Sequence, residues 1–309
     1  MSHSFRANPM PQRSLGHACL ALAMVMVGST VAGSKIIAAG LPPFTATALR
    51  FAMALPCFLL LMRLTRSPWP RPDRHDLALL WLQAAAGSVG YTTLLIAGLR
   101  LTPAADAGVI IGTLPVVSAA IAMLLLRERP GPRLLLAIAL ASAGVGAITF
   151  APGTGGSLAG RLLVLAAVVC EGLFILLNRR LRQPVAPLAL STLMSAQGLA
   201  VCLLPAGLET WPASWPAPAL AAVAWYALGP TVCGFLLWYA GSARTSASEA
   251  ALFTALAPVS AVLLAFAWLG EPLRWIQLAG VGCVLLAVLS LVLAPRVASG
   301  RPRPESSIR

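Results

Sequence analysis

Two stretches of this chain match at a fixed offset of 143 residues. LTPAADAGVIIGTLPVVSAAIAMLLLRERP, from Leu101 to Pro130, aligns with RTSASEAALFTALAPVSAVLLAFAWLGEPL, from Arg244 to Leu273. Thr102 falls on Thr245, Asp106 on Glu249, Pro115 on Pro258 and Glu128 on Glu271. Between Gly87–Pro130 and Pro230–Leu273, 12 of 44 ungapped pairs are identical. A constant internal offset marks a duplicated unit. Whatever the first half folds into, the second half must fold into as well.

The solvent for that fold follows from the length of the apolar runs. Ala107–Leu126, Ala250–Leu269 and Trp275–Ala294 are each 20 residues without a charge, and Leu77–Leu99 is 23. About 20 apolar residues cross a bilayer as one helix. Charged residues make up 10% of the chain, against about 25% in soluble domains. The net charge of +13 does not indicate nucleic acid, because the arginines sit between the apolar runs and no RNA- or DNA-binding module is visible. The six cysteines all lie in apolar stretches with no CxxC or Cys/His pairing, so they read as small packing residues, with no metal site and no cofactor expected.

Punctuation by Pro, Gly and Arg divides the chain into a tail (1–14), five spans (15–150), a Gly-rich linker (151–160), five spans (161–294) and a second tail (295–309). The predicted fold is an all-α integral membrane protein with ten transmembrane helices. Five helices per copy is an odd number, so the second copy enters the membrane from the opposite side. The two copies form inverted repeats, a transporter architecture. With both termini in the cytoplasm, 17 of the 22 Lys and Arg residues fall on the cytoplasmic side, as positive charge does in cytoplasmic membranes.

The proline inside and the acid ending each fourth helix, LP…RERP and AP…LGEP, resemble the EamA-type branch of the drug/metabolite transporter superfamily. CEGLFILLNRRL, at Cys170–Leu181, also resembles that family's sixth helix. The resemblance covers roughly residues 15–294. It implies a carrier in the cytoplasmic membrane, often an exporter, with a central cavity lined by the first four helices of each half. The fifth and tenth helices would be peripheral.

Glu171 is the sharpest candidate site residue. It lies at the middle of the run Leu162–Asn178, too deep to reach either surface. A charge at that depth costs about 3 kcal/mol on insertion scales. Such a carboxyl couples a proton to transport, anchors a cationic substrate group, or serves as a structural hydrogen-bonded group. Asn178, seven residues on, shares its helix face. The offset maps Glu171 onto Gly28 and Asn178 onto Lys35. Lys35 and Arg50 either meet an acid or an anionic substrate group, or snorkel to an interface. Tyr91, Trp238 and Tyr239 either stack a substrate in a cavity or face lipid. Pro115 and Pro258, at matched depth, are hinges or static kinks. Asp106 and Glu249 read as helix N-terminal acids. Glu128 and Glu271 read as partners of a nearby Arg127, Arg129 or Arg274.

These features point to a secondary-active transporter exporting a small metabolite or drug-like compound, with proton exchange as the expected coupling. The partners are the bilayer, a small-molecule substrate and protons. No GxxxxGK[ST] is present to bind ATP. A membrane-embedded enzyme would need paired acids or a Ser/His set at membrane depth, and Glu171 stands alone there. A receptor or structural protein would account for the helices but not for the inverted repeat.

Overall fold

The computed structural model describes residues 9–126, 131–150, 156–245, 249–250 and 253–292. Its elements are helical. The first half holds α1 (Pro9–Ala38), α2 (Pro43–Thr65), α3 (Arg74–Leu99), α4 in two segments (Ala104–Ile111 and Leu114–Leu126) and α5 (Pro132–Phe150). The second holds α6 (Leu158–Arg179), α7 (Pro187–Leu208), α8 (Ala217–Ser242), α9 (Leu256–Leu269) and α10 (Trp275–Val292). Among the described residues, six helices are long and apolar enough to span a membrane, seven when the bent pair of α4 counts as one. Leu135–Ile148, Leu256–Leu269 and Trp275–Ser290 are shorter apolar helices. Large apolar side chains point outward, with Leu124, Leu204, Leu208 and Trp275 each at least 74% exposed. A lipid surface accommodates such side chains, where water would not. The chain is an all-helical membrane protein built from two repeats.

Both halves depart from the α-helix at the same places. α3 carries a π-helical stretch at Ala84–Gly90, and α8 carries one at Ala227–Cys233. The two ranges differ by the offset of 143 found in the sequence. In α8 the cause is legible. Pro230 has no N–H for the Tyr226 carbonyl one turn back. The Thr231 hydroxyl donates to that carbonyl instead, at 2.8 Å. Such π stretches are frequent at functional sites.

α4 is not the continuous span expected at Ala104–Leu126. It breaks at Gly112–Thr113, with a bend of 44° between its segments. The matching break precedes α9, at Thr254–Ala255. Pro115 and Pro258 thus lie in the first turn of the helix after each break, where a missing N–H costs little. The two breaks meet. A Cβ on Gly112 would lie 2.7 Å from the Pro258 Cβ and 2.8 Å from Val284, so glycine is required there.

The helices between the halves pack closely. A Cβ on Gly28 would fall 2.5 Å from the Ser260 Cβ and 2.8 Å from the Ala257 carbonyl, so α1 lies directly on α9. α5 lies along α10, crossing where Gly144 meets the Gly280 carbonyl. The main buried cluster runs through α1, α3, the first segment of α4, α6, α8 and α9.

Helix ends are capped across the molecule. Glu271, after α9, accepts from the N–H groups of Ala104 (2.8 Å) and Ala105 (2.9 Å), the free donors opening α4. Glu209, after α7, does the same for Phe44 (3.0 Å) and Thr45 (2.7 Å) at the start of α2. Glu271 was expected to meet an arginine. The helix dipole explains the choice, because two N–H groups at a helix N-terminus offer a carboxylate a positive site. Glu128, with Arg127 and Arg129, lies outside the described residues, as do the tail after 292 and the first half of the linker.

Candidate transport site

Arg50 lies two turns into α2. Its Nη1 donates to the Thr92 hydroxyl (2.6 Å) and its Nε to the Thr231 hydroxyl (3.0 Å). Each threonine spends its own proton on a backbone carbonyl of its own helix. Thr92 donates to Ser88 (2.9 Å), and Thr231 donates to Tyr226 (2.8 Å). Their lone pairs are left to receive Arg50. Thr92, just past the π stretch of α3, and Thr231, within that of α8, therefore hold one guanidinium between them. The same guanidinium lies 4.2 Å from the centre of the Tyr226 ring and 5.0 Å from that of Phe51. A cation over an aromatic face is attracted by the ring quadrupole. The Arg50 guanidinium is thus turned into the helix bundle. Two of its five N–H groups are used, and no other hydrogen bond to it is made among the described residues.

Glu171, on α6, is half-buried and lies within electrostatic reach of both Arg50 and Tyr91. It forms no ion pair with Arg50, and among the described residues it makes no hydrogen bond. Tyr91 opens the α-helical end of α3 just past the π stretch, with its hydroxyl near Thr30 of α1. α1, α2, α3, α6 and α8 thus each contribute a polar group to one place within the helix bundle.

The other sequence candidates lie elsewhere. Lys35 donates to the carbonyls of Leu99 (2.6 Å) and Thr102 (2.8 Å), closing the C-terminal end of α3. That is seven residues beyond Thr92, roughly 10 Å along the helix. Asn178 is exposed near the end of α6, also roughly 10 Å along the axis from Glu171. Tyr239 is 39% exposed and packs on Phe235, at 4.5 Å between ring centres. Trp238 is half-buried beside it. Sequence reasoning missed Tyr226, Thr92 as a partner of Arg50, and the π stretches. Pro230 in an apolar span, followed by threonine, was the available signal.

A second polar cluster joins two loops. Asp73, His75 and Asp76 bring ligand-type atoms within 4.8 Å of one another. Their oxygens are already engaged. Asp76 accepts from the N–H groups of Arg182 (3.1 Å) and Gln183 (3.2 Å). Asp73 accepts from the N–H of Asp76 (2.7 Å) and from the Arg182 guanidinium (3.0 Å). The bond from Asp76 above all, and Arg182 with it, hold the Asp73 carboxyl below the usual carboxylate range. This cluster ties the α2–α3 loop to the α6–α7 loop.

The EamA-like transporter family model matches residues 14–150 and again residues 158–293. An uncharacterized transporter of Bacillus subtilis (strain 168), YetK, is 31% identical over 294 residues, covering 93% of this chain and 89% of that protein. A probable terminal-alkyne amino-acid exporter of Streptantibioticus cattleyicolor is 30% identical over 239 residues, covering 77% and 79%. The aromatic amino acid exporter YddG of Ancylobacter novellus is 27% identical over 294 residues, covering 88% and 96%. One solved crystal structure superposes with a TM-score of 0.61 at 20% identity, covering 92% of this chain and 97% of the other, which speaks for the fold alone.

Proposed function

The chain belongs to the EamA-like transporter family, and on that footing we propose that it exports small zwitterions of the amino-acid class through the site around Arg50 and Glu171. The family is one of transporters, not enzymes. Two of the relatives are named as amino-acid exporters. The observation that carries the reading is Arg50 itself. It is pinned by two threonines, keeps N–H groups in hand, and stands near a carboxyl that it does not touch. A substrate carboxylate pairs with a guanidinium fork, and a substrate ammonium pairs with Glu171. A zwitterion supplies both partners at once, and each buried charge then has an opposite. Tyr91 and Tyr226 give the side chain of such a substrate an aromatic wall.

The test is counterflow in proteoliposomes loaded in turn with each neutral amino acid. Each transported amino acid is then challenged with its decarboxylated amine and its deaminated acid. The zwitterion is expected to compete, and the two half-molecules are expected to compete at least tenfold less well. Equal competition by the amine would remove Arg50 as the carboxylate partner. No counterflow by any amino acid would remove the substrate class.

Proton exchange at Glu171 is the coupling we infer. A carboxyl that meets either a proton or a substrate ammonium makes the two mutually exclusive, and exclusive occupancy is the basis of exchange. The lysine and arginine distribution supports a cytoplasmic location for both termini and the cytoplasmic membrane as the site of action.

A further inference from the structure

Asp106 and Glu249 occupy equivalent positions of the two repeats, 143 residues apart, Asp106 in the first turn of α4 and Glu249 in the segment that leads to α9. Each is held by a cation from the first helix of the opposite half. Asp106 accepts from Arg161 at the start of α6, Nη2 at 3.0 Å and Nε at 3.3 Å. Its second oxygen accepts from Gln277 of α10 at 2.9 Å. The Gln277 amide is fixed in turn, because its oxygen accepts from the Arg274 N–H at 3.2 Å. Glu249 accepts from Arg13 of α1, Nε at 3.0 Å and Nη2 as well, and lies 3.3 Å from Nε2 of His17. His17 also stacks on Phe253, just ahead of α9, at 5.4 Å between ring centres.

The two clusters lie at opposite ends of the helix bundle. Arg13 opens α1. Lys35, 22 residues on, reaches Thr102 in the turn that leads to Asp106. That separation is roughly 30 Å along an α-helix, about the thickness of the hydrocarbon core. The Arg50 site lies between them. Each cluster bridges the halves at one face of the membrane only.

We propose that these are paired latches of the transport cycle, and that Asp106, Arg161, Glu249 and Arg13 are its positioning residues. The Asp106 latch closes one mouth of the central site and the Glu249 latch closes the other. Both are formed in this structure, and an alternating cycle parts one at a time. They are unequal. Asp106 and Arg161 are 0% and 6% exposed at their side chains, whereas Glu249 and Arg13 are 21% and 66% exposed. The buried latch, whose carboxylate also holds Gln277, is the tighter, and the exposed one opens more readily. The inference rests on the proposed passage through the Arg50 site but not on its substrate.

The test reads accessibility without any substrate. The six native cysteines are replaced and Thr231→Cys is introduced beside Arg50. A membrane-impermeant maleimide is then applied to right-side-out and to inverted vesicles. Glu249→Gln is expected to raise labelling from the Glu249 face roughly two- to fivefold and to lower it from the Asp106 face. Asp106→Asn paired with Arg161→Gln, which leaves no buried charge unmatched, is expected to do the reverse by at least tenfold. If that pair of changes does not yield folded protein, Gln277→Ala loosens the same latch and is expected to shift labelling in the same direction. Labelling that moves in the same direction for both latches, or for neither, overturns the proposal. Failure of every amino acid in the counterflow assay would leave these labelling patterns unchanged and would count against the substrate class alone.

Discussion

Glu271 follows the ninth helix and caps the fourth, its two oxygens 2.8 and 2.9 Å from the N–H groups of Ala104 and Ala105. One carboxylate therefore holds the second half to the first where α4 leaves its turn. Glu271→Ala removes the cap and leaves two N–H donors without a partner at a half-buried site. A loss of about 1–2 kcal/mol is expected, read as a lower melting temperature in detergent. Glu271→Gln, which keeps acceptor capacity on one atom, is expected to lose less. Equal stability of Glu271→Ala and wild type would show that the bonds add nothing over water.

Gly28 is predicted to tolerate nothing larger than hydrogen. Its Cβ would meet Ser260 at 2.5 Å and the Ala257 carbonyl at 2.8 Å. The carbonyl belongs to the helix backbone and cannot turn aside. Gly28→Ala is expected to cost about 1–3 kcal/mol through overpacking. Its lowered thermal transition would be measured in the same detergent series.

Arg50→Lys keeps the charge but loses the fork. An ammonium cannot span Thr92 and Thr231 while presenting a planar face to Tyr226. Transport of zwitterions is expected to fall about tenfold or more, equivalent to roughly 1.4 kcal/mol. The protein should remain folded, as judged by its size-exclusion profile. Wild-type counterflow in Arg50→Lys would show that only the point charge matters.

Glu171→Gln preserves shape and hydrogen-bonding capacity and abolishes titration. Accumulation driven by a pH gradient is expected to disappear, while counterflow of labelled against unlabelled substrate persists at a higher substrate concentration, because the amide oxygen still accepts from the substrate ammonium but no longer neutralises it. Both assays use the same proteoliposomes. Gradient-driven uptake at the wild-type rate would exclude Glu171 as the coupling group.

Orientation is open to direct measurement. Reporters fused after Arg309 and inserted near Arg71 are expected on the cytoplasmic side, and one near Pro212 on the opposite side. Trp211 and Trp215, 58% and 41% exposed with ring centres 6.1 Å apart, fit the interfacial position that the last site requires.

The sequence by itself determined the membrane solvent, the duplication and the place of Glu171 within its apolar run. Each follows from a one-dimensional property: run length, fixed offset, or position within a run. The offset even holds for the π stretches, since 84–90 and 227–233 are equivalent segments. What they do there is not one-dimensional. Arg50 and Thr231 are 181 positions apart, and Arg13 and Glu249 are 236. No periodicity relates such pairs. A charged side chain near a helix end reads from sequence as free to snorkel. Lys35 and Arg50 look alike on that criterion, yet Lys35 closes a helix end and Arg50 faces the interior. The tertiary structure decided between them by placing carbonyl acceptors beside one, and two threonine hydroxyls with their own protons engaged beside the other.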